Sequence, residues 1–153
     1  MTILVKKTIT VAAPQAVAFD VFTNRMETWW PLATHHIGKS TPVSAIIELR
    51  AGGRWYERGE DGSECDWGRV VLVEPPSRIV LRWQISSTWG FDPKVDTEVD
   101  VRFFAEGDHT RVELEHRKLE AYGDAAEQMR SAFDSKGGWG DILEGFADAA
   151  TRG

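Results

Sequence analysis

The feature that most limits what this chain can fold into is a two-residue alternation sustained from Val43 to His116. Ala45, Ile47 and Leu49 alternate with Ser44, Glu48 and Arg50. Ile79, Leu81, Trp83 and Ile85 alternate with Val80, Arg82, Gln84 and Ser86. Val95, Thr97, Val99, Val101 and Phe103 alternate with Asp96, Glu98, Asp100 and Arg102, and Thr110, Val112, Leu114 and His116 continue the rhythm. A period of two sends successive side chains to opposite faces of a strand. The breaks are short: Gly52-Gly53, Glu60-Asp61-Gly62-Ser63, Pro75-Pro76 and Gly107-Asp108. Links of that length join antiparallel neighbours, because a parallel pair needs a crossover of a dozen residues or more. Ile3, Val5, Ile9 and Val11 add a strand at the N-terminal end, for seven in all. Lys7 falls in the apolar phase of that strand, which requires either a snorkelling stem or a bulge.

Helical spacing occurs on both sides of this block. After Pro14, suited to a first helical turn, Val17, Val21 and Phe22 share a face, and a second short turn carries Met26, Trp29 and Trp30 up to Pro31. A loop with His35 and His36 spans 31–42. Helical spacing resumes near Tyr122, is interrupted at Gly137-Gly138, and returns as Trp139, Ile142, Leu143, Phe146 and Ala150, a core-facing stripe. Helix is therefore expected over 14–30 and 122–150. The strands have one apolar and one charged face, and the last helix is the only long element able to cover the apolar one. The predicted fold is α+β, a curved seven-stranded antiparallel sheet wrapped around a long C-terminal helix, with two short helices after strand 1. Residues 1–153 read as a single domain.

Several function classes are poorly served by this sequence. Its net charge is −6 and no stretch forms a basic face, so nucleic acid and anionic membranes are unsuitable partners. No apolar run is long enough to span a bilayer. Cys65 stands alone and the first residues carry no secretory signal, which points to a reducing, cytoplasmic setting. Its neighbours Glu64 and Asp66 would disfavour a thiolate. His35 and His36 lack the ligand spacing of a metal site. No nucleophile elbow or phosphate-cradling glycine loop occurs, so neither a metal nor a cofactor is expected.

Seven tryptophans are unusual for this length. Each can wall a core or a cavity. Trp55, Trp67 and Trp139 have glycines close by in sequence and suit a cavity, since glycine leaves volume beside a large ring. Trp83, mid-strand among aliphatic residues, reads more as core. By alternation Trp55, Glu57, Trp67, Arg69, Trp83, Val101 and His116 share the covered sheet face, and Met129, Phe133, Trp139 and Leu143 close it from the helix side. Glu57, Arg69 and His116 could orient a ligand in an apolar pocket. Alternatively, Glu57 and Arg69 are a structural pair and His116 a satisfied core histidine.

The run Trp29-Trp30-Pro31-Leu32-Ala33-Thr34-His35-His36-Ile37-Gly38 resembles bacterial proteins of the START-like, helix-grip superfamily. So do Gly52-Gly53-Arg54-Trp55-Tyr56-Glu57, the stretch from Gly62 to Trp67-Gly68, Glu74-Pro75-Pro76 and Gly137-Gly138-Trp139. The nearest subgroup is named for homology to the activator of the heat-shock-protein-90 ATPase. The resemblance implies a cavity between sheet and final helix. The function expected is non-covalent binding of a small apolar or amphipathic molecule. A protein-interaction module like the chaperone-ATPase activator, and an enzyme with His116 as acid or base, are the alternatives.

Overall fold

The computed structural model describes residues 2–153. Seven strands form one sheet: β1 (Val5–Val11), β2 (Pro42–Ile47), β3 (Arg54–Gly59), β4 (Glu64–Glu74), β5 (Arg78–Trp83), β6 (Thr97–Glu106) and β7 (His109–Arg117). Their order is β1-β7-β6-β5-β4-β3-β2 and every neighbouring pair is antiparallel. Consecutive strands pair throughout the β2–β7 meander, and only β1 joins across the sequence, to β7. The α-helix α1 (Gln15–Asn24) and a single 3-10 turn (Met26–Thr28) follow β1.

The C-terminal segment is helical, with breaks whose causes are visible. A 3-10 stretch (Leu119–Ala125) precedes α2 (Ala126–Asp134), so the α-helix starts later than Tyr122; Gly123, at φ 61°, interrupts the regular backbone there. A π-type turn (Lys136–Gly140) then leads into α3 (Asp141–Arg152), placing the kink at the expected glycines. Gly138 is required at that kink. A Cβ there would collide with the carbonyl oxygens of Ala132 and Phe133.

The inner face of the sheet packs on α1, α2 and α3. Phe22 meets Phe146 of α3 edge-on at 5.2 Å and Phe103 of β6 at 5.8 Å. The outer face carries ion pairs between neighbouring strands. Arg78 and Arg117 both reach Asp100, at 2.9 and 2.8 Å. Lys7 keeps its inward phase without a bulge, since β1 pairs with β7 in continuous register. Its stem runs along the sheet and its ammonium reaches Asp134 at the end of α2, at 2.8 Å.

β4 departs from simple alternation, and this corrects the inward placement of Arg69. Trp55 pairs with Gly68 but Tyr56 pairs with Asp66, so Trp67 is an extra residue in β4. A second shift between Val70 and Leu72 leaves Val71 unpaired. An extra residue reverses the phase of the strand beyond it. Trp67 stays buried, while Arg69 and Val71 turn to solvent, and Val73 comes back into pairing with Ile79. Gly68 permits the bulge, because a Cβ there would run into Arg82 O. Arg69 therefore belongs neither to the covered face nor to a pair with Glu57.

Candidate functional site

A cleft of about 450 Å³ opens at one end of the sheet, between its inner face and the α2–α3 kink. Trp67, Trp83, Ile85 and Trp89 contribute from the sheet and the loop after β5. Ala132, Phe133, Ser135, Gly137, Gly138, Trp139 and Ile142 contribute from the helical side, and Trp30 with residues 34–37 from the loop before β2. The volume lies inside the ~300–1,000 Å³ range of small-molecule pockets.

Its walls are aromatic and in mutual contact. Trp30 lies 5.0 Å from Trp67 and 5.9 Å from Trp139; Trp83 lies 5.4 Å from Phe133 and 5.9 Å from Trp139. Most of the indole N–H groups are engaged within the protein. Trp30 donates to His35 O at 2.9 Å, Trp67 to Glu57 Oε1 at 2.8 Å and Trp139 to His116 Nδ1 at 3.2 Å. These bonds fix the rings in place. Trp83 Nε1 has no partner of hydrogen-bonding geometry. Near it is the Tyr122 phenol, whose proton goes to Ile85 O at 2.6 Å. Burial raises the Tyr122 pKa, and the Trp83 and Thr97 side chains offset part of that rise.

The predicted residues divide into groups. Trp67, Trp83, Phe133 and Trp139 line the cleft. Trp55, Val101, Met129 and Leu143 are buried in the packed core and do not reach it. Trp55 stands 5.4 Å from Trp67 and donates Nε1–H to Met26 Sδ at 3.3 Å.

His116 is sealed off from the cleft and from water. Thr97 Oγ1 donates to Trp83 O at 2.9 Å, so its oxygen accepts from His116 Nε2–H at 3.0 Å. With Trp139 donating to Nδ1, both ring nitrogens are matched in the neutral Nε2–H tautomer. Burial alone pushes its pKa down to about 3. It has neither a free nitrogen nor access to a ligand, which removes the acid–base role considered from sequence.

Glu57 is buried beneath the loop before β2. Its carboxylate accepts from Ile37 N at 2.7 Å, Gly38 N at 3.1 Å and the Trp67 indole. It thereby ties β3 and β4 to the segment that carries the histidines. His35 Nε2–H donates to Gly137 O at 2.7 Å, which leaves Nδ1 to accept from the Thr34 hydroxyl at 2.7 Å. That contact fastens one rim of the cleft to the kink at the other. Cys65 lies against the same loop, and burial, then the charge of Glu57, pushes its thiol pKa up.

The cleft residues missed from sequence are chiefly Trp30, His36 and Trp89. Ligand spacing weighs the histidines only as metal ligands, although their place within the aromatic-rich 29–38 run is a usable signal. Trp89 precedes Gly90 and meets the same glycine criterion applied to the other tryptophans. It is 49% exposed at the cleft rim, with φ of 63°.

Comparison with known proteins accords with this architecture. Among the described residues no helix is long and apolar enough to cross a membrane. A solved anthrahydroquino-γ-pyrone synthase, Txn09, is 37% identical over 95% of this chain and 96% of its own, with a TM-score of 0.67. The self-sacrificing resistance protein CalC from Micromonospora echinospora is 30% identical over 97% of this chain and 94% of its own, with a TM-score of 0.71. Protein NE0264 from Nitrosomonas europaea shares the fold at 13% identity, covering 98% of this chain and 95% of its own, with a TM-score of 0.69. Among curated proteins nothing matches the chain. The family model described as activator of Hsp90 ATPase homolog 1-like protein matches residues 12–151, and the chain belongs to that START-like, helix-grip family.

Proposed function

We propose that this protein binds a flat, fused-ring aromatic molecule non-covalently in the cleft between the sheet and the α2–α3 kink. The observation that carries the reading is the wall itself: Trp30, Trp67, Trp83, Phe133 and Trp139 around about 450 Å³. A planar aromatic guest gains contact with such rings at centroid separations of about 4.5–7 Å. Immobilised indoles also keep the entropy cost of ordering the wall low on binding. Hydrophobic-ligand binding is in keeping with the family, and a relative 37% identical is named for making an anthrahydroquino-γ-pyrone, a fused-ring product.

Titration with anthraquinone, followed by intrinsic tryptophan fluorescence and thermal melting, tests this. Saturable quenching is expected, with stabilisation approaching ~2.7 kcal/mol at a hundredfold excess over the dissociation constant. No response in either signal up to the solubility limit refutes it.

The 37% identity to a synthase also favours a second reading, in which the same cleft shapes a chain for ring closure. A new product from an open-chain polyketide-like substrate would separate catalysis from binding. A chaperone-docking role draws on the family description alone. The exposed large apolar side chains among the described residues are Val43, Val71, Trp89 and Phe91. Trp89, the one of these that lines the cleft, is better placed to contact its guest.

A further inference from the structure

Among the imidazole nitrogens of the cleft, one lone pair is uncommitted. His36 lines the cleft and its side chain is 28% exposed. Its Nδ1 lies 3.0 Å from Gly38 O. A carbonyl oxygen can only accept, so Nδ1 carries the proton and Nε2 carries the lone pair. Nε2 has no partner among the described residues, whereas both nitrogens of His35 and the indoles of Trp30, Trp67 and Trp139 are engaged. Behind the ring, Glu57 Oε2 lies 3.9 Å from Nδ1, and three N–H groups hold that carboxylate in place. The arrangement is a histidine with one nitrogen open to a ligand and an anchored carboxylate on the opposite side.

We infer that His36 Nε2 accepts the proton of an acidic aromatic hydroxyl, so that the favoured ligands are phenols or hydroxyquinones. This rests on the aromatic-binding reading above and names the ligand class for the same cleft. In the step, the phenolic O–H bond breaks as an N–H bond forms at Nε2. The electron pair stays on oxygen, and the resulting phenolate accepts a charge-assisted hydrogen bond from the imidazolium. Glu57, 3.9 Å behind, offsets the positive charge that the ring acquires. The aromatic wall selects the ring system and His36 selects the hydroxyl. A methyl ether of the same ring retains the stacking and cannot give up a proton.

The test compares β-hydroxyanthraquinone with its methyl ether, at a pH where the free phenol is protonated. Wild-type protein is expected to bind the phenol at least about tenfold more tightly, through the charge-assisted bond. The bound phenol should show the red-shifted absorption band of its anion. His36→Asn should abolish that band and bring the two affinities together. Equal binding of both compounds by the wild type without an anion band overturns the inference and leaves the aromatic-binding reading standing. A band that persists in His36→Asn also overturns it. Failure of both compounds to bind refutes the aromatic-binding reading, and the role of His36 with it. Because the two-compound comparison uses wild-type protein, a folding defect in the variant cannot mask the answer.

Discussion

Acidification should destabilise this fold through one buried ring. His116 has an ordinary pKa of 6.5, depressed to about 3 by burial. Below 6.5 the unfolded chain therefore takes up a proton that the folded chain refuses. Stability falls as pH falls wherever the unfolded state binds more protons, at about 1.4 kcal/mol per pH unit for one group. Relative to a pH well above 6.5, the loss at about pH 4.5 comes to about 2.7 kcal/mol. A comparison with His116→Phe isolates this contribution, because every other titrating group is common to both proteins. The variant leaves Trp139 Nε1 without its acceptor and should be less stable at neutral pH by ~1–3 kcal/mol. Urea denaturation across the pH range is the assay. The wild-type advantage should shrink by about 1.4 kcal/mol per unit as pH drops through this window. A stability difference that does not vary with pH would refute the account of His116 as a sealed, neutral ring. The Glu98 and Asp100 carboxylates add their own loss of stability toward acid pH, but that loss is common to both proteins and cancels in the difference. Burial opposes their charge, but Lys118 and Arg117 for the one, and Arg78, Arg102 and Arg117 for the other, hold both below the usual carboxylate range.

Other substitutions read the kink and the cleft separately. Gly138→Ala puts a Cβ against the carbonyls of Ala132 and Phe133 and should lower the melting temperature by at least ~4 °C, whereas Gly137→Ala meets open space and should change it little. Ala132→Phe projects a ring into the cleft from α2 and should weaken anthraquinone binding at least about tenfold, measured by fluorescence titration, without lowering the melting temperature of the free protein. At equimolar ratio the protein should not stimulate the ATPase of a bacterial homologue of heat-shock protein 90; a several-fold rise in hydrolysis would restore the chaperone reading.

The sheet was legible because its signal is local. Each run of alternation marked a strand, each Gly- or Pro-rich pair marked a turn, and hairpin-length links left little choice of topology. The kink at Gly137-Gly138 was legible for the same reason. The interior of the cleft was less so, because alternation assigns a face and says nothing of depth. Trp55 and Val101 on the sheet and Met129 and Leu143 on the helices are buried as alternation and helical spacing imply, yet they lie behind the residues that reach the opening. Arg69 was misplaced because the bulge at Trp67 depends on how β3 and β4 register, a tertiary matter that shifts phase by one residue without any local mark except Gly68. His36 and Trp89 come from loops, where no periodicity applies. The position of His36 is set by the hydrogen bonding of Ile37 and Gly38 to Glu57, twenty and nineteen residues away in sequence.

The central claim is that the tryptophan-walled cleft is the binding site, and the indole N–H resonances of the seven tryptophans test it most directly. Each indole gives its own signal in a nitrogen–proton correlation spectrum, assignable by single Trp→Phe substitutions. Trp30, Trp67, Trp83, Trp89 and Trp139 line the cleft. Trp29, whose N–H is held by Val21 O at 2.8 Å, and Trp55, bonded to Met26, do not. On titration with anthraquinone the first five should shift in proportion to occupancy while Trp29 and Trp55 move little. Shifts confined to Trp29 and Trp55, or no shift in any of the seven at saturating ligand, would contradict it.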